Sequence, residues 1–162
     1  MADRSQITLA AEVESLAVFR KFIGDTCQTA SIDDVSCYDI KLAVDEACTN
    51  IIQHGYAGME PGSIVLSVQY GARQMVVRLT DFGHPFEPCD PPAPDAAAAL
   101  DSGVTGGFGL FFIYRSVDSV SYDSAGGCNT MTMVKRLKVN FRLRLSVCHA
   151  IFQFLHRNRH RI

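Results

Sequence analysis

The chain has no tryptophan, though its other aromatics are ordinary in number at 9%, so no indole anchors its core. It has no uncharged run near the roughly 20 apolar residues needed to cross a bilayer. Its opening, Met1-Ala2-Asp3-Arg4-Ser5-Gln6, lacks the basic start and apolar stretch of a secretory signal. A cytoplasmic location is the expectation from both absences. Six cysteines are present, at positions 27, 37, 48, 89, 128 and 148, but no two form a Cys-x-x-Cys pair. That spacing excludes the usual zinc or dithiol redox centre and predicts reduced, mostly buried thiols. No internal repeat is present, which excludes a solenoid. Two further gaps concern charge: no Lys or Arg occurs between Arg78 and Arg115, and no acid occurs in residues 138–162.

What is present describes one domain. At 162 residues and 48% hydrophobic content, the chain can bury a single core. Residues 1–137 hold all 17 acids against nine Lys or Arg, a net of −8, while residues 138–162 hold six bases, a net of +6; together these make the −2 of the whole. An acidic body argues against a nucleic-acid-binding domain, because neutralising phosphates needs clustered Lys and Arg on the body itself.

Periodicity orders the elements. Ile7 and Leu9 alternate with polar neighbours and predict a strand over Gln6–Glu12, and Leu16, Phe19, Ile23 and Cys27 predict a helix over about 14–29. Ser31-Ile32-Asp33-Asp34 has the spacing of a capping box and predicts a second helix from near Ile32, closed by Gly55 and Gly58. In it Ile40, Val44, Ala47 and Ile51 form the buried stripe, while Glu46, Asn50 and His54 share another face at successive i+4 steps. Ile64, Leu66, Val68 and Tyr70, then Met75, Val77 and Leu79, predict an antiparallel hairpin that ends at Asp81. Five of the six prolines lie in 85–94, and the irregular stretch that continues to Gly107 has the length of a lid or binding loop. Leu110, Ile113, Tyr114 and Val117 predict a third helix opened by Gly106-Gly107, followed by strands over Ser119–Asp123 and Thr130–Leu137. Met131 and Met133 are assigned to the core. The expected fold class is α+β: a two-layer α/β sandwich with a mostly antiparallel sheet covered by helices on one face.

A carboxylate and a carboxamide at i and i+4, here Glu46 and Asn50, project from one helix face about 6 Å apart. The pair can hold a metal ion on one side and orient an attacking oxygen on the other; alone, it is equally well a solvated helix face. Two glycine-bearing turns follow, Asp81-Phe82-Gly83 and Gly106-Gly107-Phe108-Gly109-Leu110. Asp81-Phe82-Gly83 has the letters of a eukaryotic kinase metal motif, but the chain has no His-Arg-Asp loop. Gly107-Phe108-Gly109 lacks the third glycine of a dinucleotide fingerprint. His54 is taken as a polar helix-end residue and His84 as a loop residue.

The ordered set is more specific than its parts: Glu46-x-x-x-Asn50 on a helix, Asp81-x-Gly83-x-x-Phe86 after a strand, a lid-like loop, Gly107-x-Gly109-Leu110 opening a helix, and Thr130 or Thr132 on a late strand. It resembles the ATP-binding fold of the GHKL superfamily of gyrase, chaperone and histidine-kinase ATPases. Within that superfamily it is most similar to the anti-sigma factor serine kinases, with much of the likeness carried by Ala43-Val44-Asp45-Glu46-Ala47-Cys48-Thr49-Asn50-Ile51-Ile52-Gln53-His54-Gly55-Tyr56. The resemblance covers about residues 6–138 and implies ATP and Mg²⁺ as cofactors. It implies Glu46 as general base, Asn50 as the Mg²⁺ ligand and Asp81 as acceptor for the adenine amine. Gly83, Phe86, Gly106, Gly107, Phe108, Gly109 and Leu110 would surround the nucleotide, with Thr130 or Thr132 on its adenine side. The implied partners are a sigma factor and an anti-sigma antagonist protein, and the implied assembly is a homodimer.

Two departures accompany the likeness. Lids in the family often offer a basic side chain to the γ-phosphate, and the stretch between Arg78 and Arg115 has none. A nucleotide-gated binding module without phosphotransfer is therefore the second reading. Residues 139–162 fall outside the resemblance, leaving 1–138 as the expected kinase domain. In this tail Val139, Phe141, Leu143 and Leu145 alternate like a strand, and Cys148, Ile151, Phe154 and Leu155 follow at helical spacing. A basic amphipathic end of this kind can dock on a partner or lie on an anionic membrane; no role is assigned to it.

Overall fold

Three helices lie against one face of a five-stranded antiparallel sheet in the computed structural model, which describes residues 3–85 and 108–138. The elements run β1 (Asp3–Ala10), α1 (Ser15–Thr29), α2 (Asp34–Asn50), β2 (Ser63–Tyr70), β3 (Gln74–Asp81), α3 (Phe108–Ser116), β4 (Ser119–Ala125) and β5 (Cys128–Arg136). The strand order is β1-β2-β3-β5-β4, with every neighbouring pair antiparallel. This is the expected two-layer α+β sandwich. The lid-like stretch with Phe86, Gly106 and Gly107, Cys89, Cys148 and the whole tail 139–162 lie outside the described residues.

The core forms where the two periodicities meet. Ile64, Leu66 and Val68 of β2, Met75, Val77 and Leu79 of β3, and Met131 and Met133 of β5 put every second side chain under the helices. Phe19, Ile23 and Cys27 of α1, Ile40, Val44 and Ala47 of α2, Ile113 of α3 and Ile51 close over them. Lys135 fastens the layers at one end: its Nζ donates to Asp39 Oδ2 of α2 at 2.6 Å and to the Ser116 carbonyl of α3 at 2.8 Å. One side chain thus pairs a charge and satisfies an orphan carbonyl at the C-terminus of α3. Cys27 and Cys48 are free and buried, and burial pushes both thiols far above the usual range; Cys37 and Cys128 are free and half-buried.

Element ends differ from expectation where tertiary contacts decide them. β1 begins three residues early, because Asp3, Arg4 and Ser5 pair with Tyr70, Gln69 and Val68 of β2. Ser31 does not cap α2; it takes a left-handed turn after α1 (φ 53°). Asp33 is the cap instead, its carboxylate accepting from Ser36 N at 3.0 Å. That hydrogen bond holds the Asp33 carboxyl below its usual range. At the other end the helical stretch closes at Gly55 as expected, but its last turn, Ile51–Gly55, widens to π-helical geometry, marked by the i to i+5 bond from Tyr56 N to Ile51 O (3.2 Å).

Candidate functional site

The site is built on the last turn of α2. Ala43, Ala47, Cys48 and Ile51 are buried on the inner side of this helix, which leaves Glu46 and Asn50 on the flank that faces α3. There Gly109 sits directly over them: a Cβ at Gly109 would lie 3.0 Å from Glu46 Oε2, 3.2 Å from Asn50 Oδ1 and 3.3 Å from Asn50 Nδ2. A side chain here would press on both polar groups, and glycine lets the start of α3 come this close without displacing them. The pairing of carboxylate, carboxamide and helix N-terminus that the sequence suggested is therefore a contact in space.

The second wall comes from the end of β3. Asp81 is only 6% exposed, and its Oδ1 accepts from Gly83 N at 3.0 Å and from Asn129 Nδ2 at 2.9 Å. The residues after it lie flat against the π-helical turn. His84 N donates to the Gly55 carbonyl at 2.7 Å, and a Cβ at Gly83 would collide with that carbonyl, 2.6 Å from its carbon. Gly83 is thus required by the Gly55 backbone. A buried tyrosine braces the same turn: Tyr56 OH accepts from Phe82 N at 3.0 Å and donates to the Ser63 carbonyl at 2.9 Å.

The third wall is β5, and its register decides which side chain meets Asp81. Asp81 pairs with Asn129, and Thr80 with Thr130. Because directly opposed residues share a face, Asn129 points under the helices with Asp81, whereas Thr130 bonds the Thr80 hydroxyl at 3.1 Å. Thr130 still borders the cavity, and Thr132 does not. Asn129 is the residue that the sequence reading missed. The signal for it was alternation with Met131 and Met133, already assigned to the core: at period two, Asn129 shares their inward face.

These walls enclose a cavity of about 660 Å³ whose lining includes Glu46, Asn50, His54, Asp81, Gly109 and Asn129, a volume suited to a mononucleotide-sized ligand. Phe108 and Leu110 also border it. No Lys or Arg is found among the described residues that line it. Nor do the described residues contain a group of three His, Cys, Asp or Glu able to hold a metal ion by themselves. A divalent cation at Asn50 would then be held by ligand phosphates plus one carboxamide oxygen, the donor set that suits Mg²⁺.

Burial pushes the Glu46 carboxyl above the usual Glu range, and the neighbouring Asp45 charge adds to the effect. The raised value belongs to the folded state, so ionising Glu46 costs stability. That cost is absent below the unfolded pKa of about 4.3 and grows as pH rises through the folded pKa. Glu46→Gln is accordingly expected to melt above the wild type at pH 7, with the gap closing as the pH falls to 4. Thermal melts across that range check it; a gap that widens on acidification would reverse the sign.

An antiparallel sheet backed by helices on one face, with a carboxylate and a carboxamide lining the cavity, is the arrangement that the resemblance to the GHKL ATPases leads one to expect. Residues 9–135 match the histidine kinase-like ATPase domain family, and the chain belongs to that family. Among its relatives is the serine-protein kinase RsbW of Halalkalibacterium halodurans, 30% identical over 141 residues, covering 82% of this chain and 83% of the relative. RsbW of Bacillus subtilis is 27% identical over 143 residues, covering 84% and 87%. The serine/threonine-protein kinase BtrW of Bordetella bronchiseptica is 28% identical over 96 residues, covering 59% and 68%. The fold also matches the crystal structure of the RsbU and RsbW domains of a Mycobacterium tuberculosis protein, with a TM-score of 0.59 and 20% identity. That match covers 83% of this chain and 32% of the solved one. No helix among the described residues is long and apolar enough to cross a membrane.

Proposed function

We propose that this protein is an ATP-dependent serine protein kinase and anti-sigma factor, which phosphorylates a serine of a small antagonist protein and sequesters a sigma factor. The observation that carries the reading is the contact of Gly109 with both Glu46 and Asn50, which brings a general base, a neutral metal ligand and a helix N-terminus to one point. The RsbW and BtrW relatives, named as serine-protein and serine/threonine-protein kinases, support the same class. ATP with Mg²⁺ would supply the phosphoryl group and offset its charge in transfer.

The chain's own residues have separable tasks in this reading. Asn50 contributes its carboxamide oxygen to the cation. Glu46, beside it, accepts the proton of the attacking seryl hydroxyl, and its raised pKa makes it a better base than an exposed glutamate. Phe108, Gly109 and Leu110 open α3, and the main-chain N–H groups of a helix's first turn suit phosphate oxygens. Asp81 accepts from the exocyclic amine of adenine through Oδ2, for which no hydrogen-bond partner is found among the described residues. The activity is assigned to residues 1–138, acting in the cytoplasm as a homodimer.

The second reading is a nucleotide-gated binding module that exchanges partners without transferring phosphate. The absence of Lys and Arg from the described cavity lining, and from the sequence between Arg78 and Arg115, favours it. Incubation with labelled ATP, Mg²⁺ and candidate antagonist separates the two. Label on a partner serine is the expected result, and nucleotide binding without transfer would select the module. ADP at about 100 times its dissociation constant should add roughly 2.7 kcal/mol of stability; a melting temperature unmoved by either ADP or ATP would remove both.

A further inference from the structure

We propose that Asn129 is the positioning residue for base recognition: it locks the Asp81 carboxylate so that Oδ2 alone is left to read the nucleobase. The proposal rests on the nucleotide-binding reading above. Its basis is a set of hydrogen bonds that converge on one buried carboxamide. Asn129 is 7% exposed; its Oδ1 accepts from Ser124 Oγ at 2.7 Å, and its Nδ2 donates to Asp81 Oδ1 at 2.9 Å and to the His84 carbonyl at 2.8 Å.

The orientation of this amide follows from its neighbours. Flipped, it would place its oxygen against a carboxylate and a carbonyl, both acceptors only, and its NH₂ against Ser124. With Nδ2 facing Asp81, the Oδ1 atom of that carboxylate takes two donors, Asn129 Nδ2 and Gly83 N. A carboxylate held twice through one oxygen cannot rotate about χ2 without breaking both bonds, so the direction of Oδ2 is set before any ligand arrives. The second Nδ2 bond ties the same unit to the His84 carbonyl, whose residue is itself anchored to Gly55 and Ala57 of the adjoining turn. Preorganisation of this sort raises affinity by removing the ordering cost from the binding step.

Threonine, alanine or leucine at 129 would not reproduce two donations from one nitrogen. Aspartate keeps the shape and reverses the chemistry. Two carboxylates at hydrogen-bond distance do not both stay ionised at neutral pH without repulsion, and a shared proton relieves it. Besides Asp81 itself, the titratable side chains among the described residues around this cavity are Glu46 from α2, His54 from the π-helical turn, His84 after β3, and Tyr122 and Asp123 from β4. All are common to wild type and variants, so the wild-type pH profile isolates the added carboxylate.

The test is calorimetric titration of ADP and GDP into the full chain, as wild type, Asn129→Asp, Asn129→Ala and Ser124→Ala, at pH 7.5 and 5.5. The expected result is that Asn129→Asp weakens ADP binding at least about 10-fold at pH 7.5, the scale of a lost charge-assisted hydrogen bond. Most of that loss should be regained at pH 5.5, a gain the wild type does not make. Asn129→Ala should narrow the preference for ADP over GDP. Ser124→Ala, at an exposed position, keeps the fold intact and should show the same loss in weaker form. Should wild type bind ADP while all three variants keep its affinity, selectivity and pH profile, Asn129 only knits the strands and the proposal is overturned. A wild type that binds neither nucleotide overturns the underlying reading with it.

Discussion

Glu46→Ala is expected to lower phosphoryl transfer to the partner serine by about 10²- to 10⁴-fold, the usual contribution of a positioned general base, while ADP affinity stays at the wild-type level. The separation follows from where the carboxylate sits. In the proposed reading Asn50 would remain to hold the cation and the start of α3 the phosphates, and a Cβ built at Gly109 lies as near Asn50 (3.2 Å) as Glu46 (3.0 Å). Folding should survive, because the variant removes a charge that burial already disfavours. Single-turnover transfer and ADP titration on the same preparation read the two effects apart. Transfer at the wild-type rate would take Glu46 out of the chemistry, and a parallel loss of ADP binding would make it a ligand-holding residue instead.

Gly83→Ala should lower both stability and nucleotide affinity through a single added methyl group. Its Cβ would meet the Gly55 carbonyl, 2.6 Å from the carbon and 3.2 Å from Gly55 Cα, and backbone on both sides leaves no flexible side chain to yield. Overpacking of this kind costs about 1–3 kcal/mol, or roughly 5 °C in Tm for a chain of this size. There is a functional cost as well, since the shifted segment carries Gly83 N, one of the two donors to Asp81 Oδ1, and His84 O, which anchors Asn129. ADP affinity should fall at least about 10-fold. Gly71→Ala is the control, because a Cβ there meets nothing within 4 Å and the backbone is unstrained. Equal melting temperatures and affinities for the two variants would show that the turn is looser than its contacts imply.

Much of this protein is local in origin and was legible from residue order. The stripe Ile40, Val44, Ala47 and Ile51 buries as its 3.6-residue period requires, and the same period puts Glu46 and Asn50 one turn apart on one flank. Alternation in Ile64–Val68 and Met75–Leu79 yields the hairpin that ends at a buried Asp81. Glycine at 109 announces a close approach, though not to what. Each of these inferences depends on neighbours within a few residues, where chain geometry leaves little freedom.

The tertiary structure decided whatever depended on register or on a distant backbone. Alternation with Met131 and Met133 puts Asn129 on the inner face and Thr130 and Thr132 on the outer one, but which β5 residue stands opposite Asp81 depends on the β3–β5 register, which no local period gives. The observed pairing of Asp81 with Asn129 settles it. Ser31 and Asp33 both have capping side chains, and the left-handed turn that closes α1 leaves the role to Asp33. Nothing near Gly83 in sequence foretells that its missing side chain makes room for Gly55, 28 positions earlier. Sequence determined which chemical groups this protein owns and the helix or strand that bears each; long-range strand pairing and backbone contact, which no local period encodes, determined which of them meet.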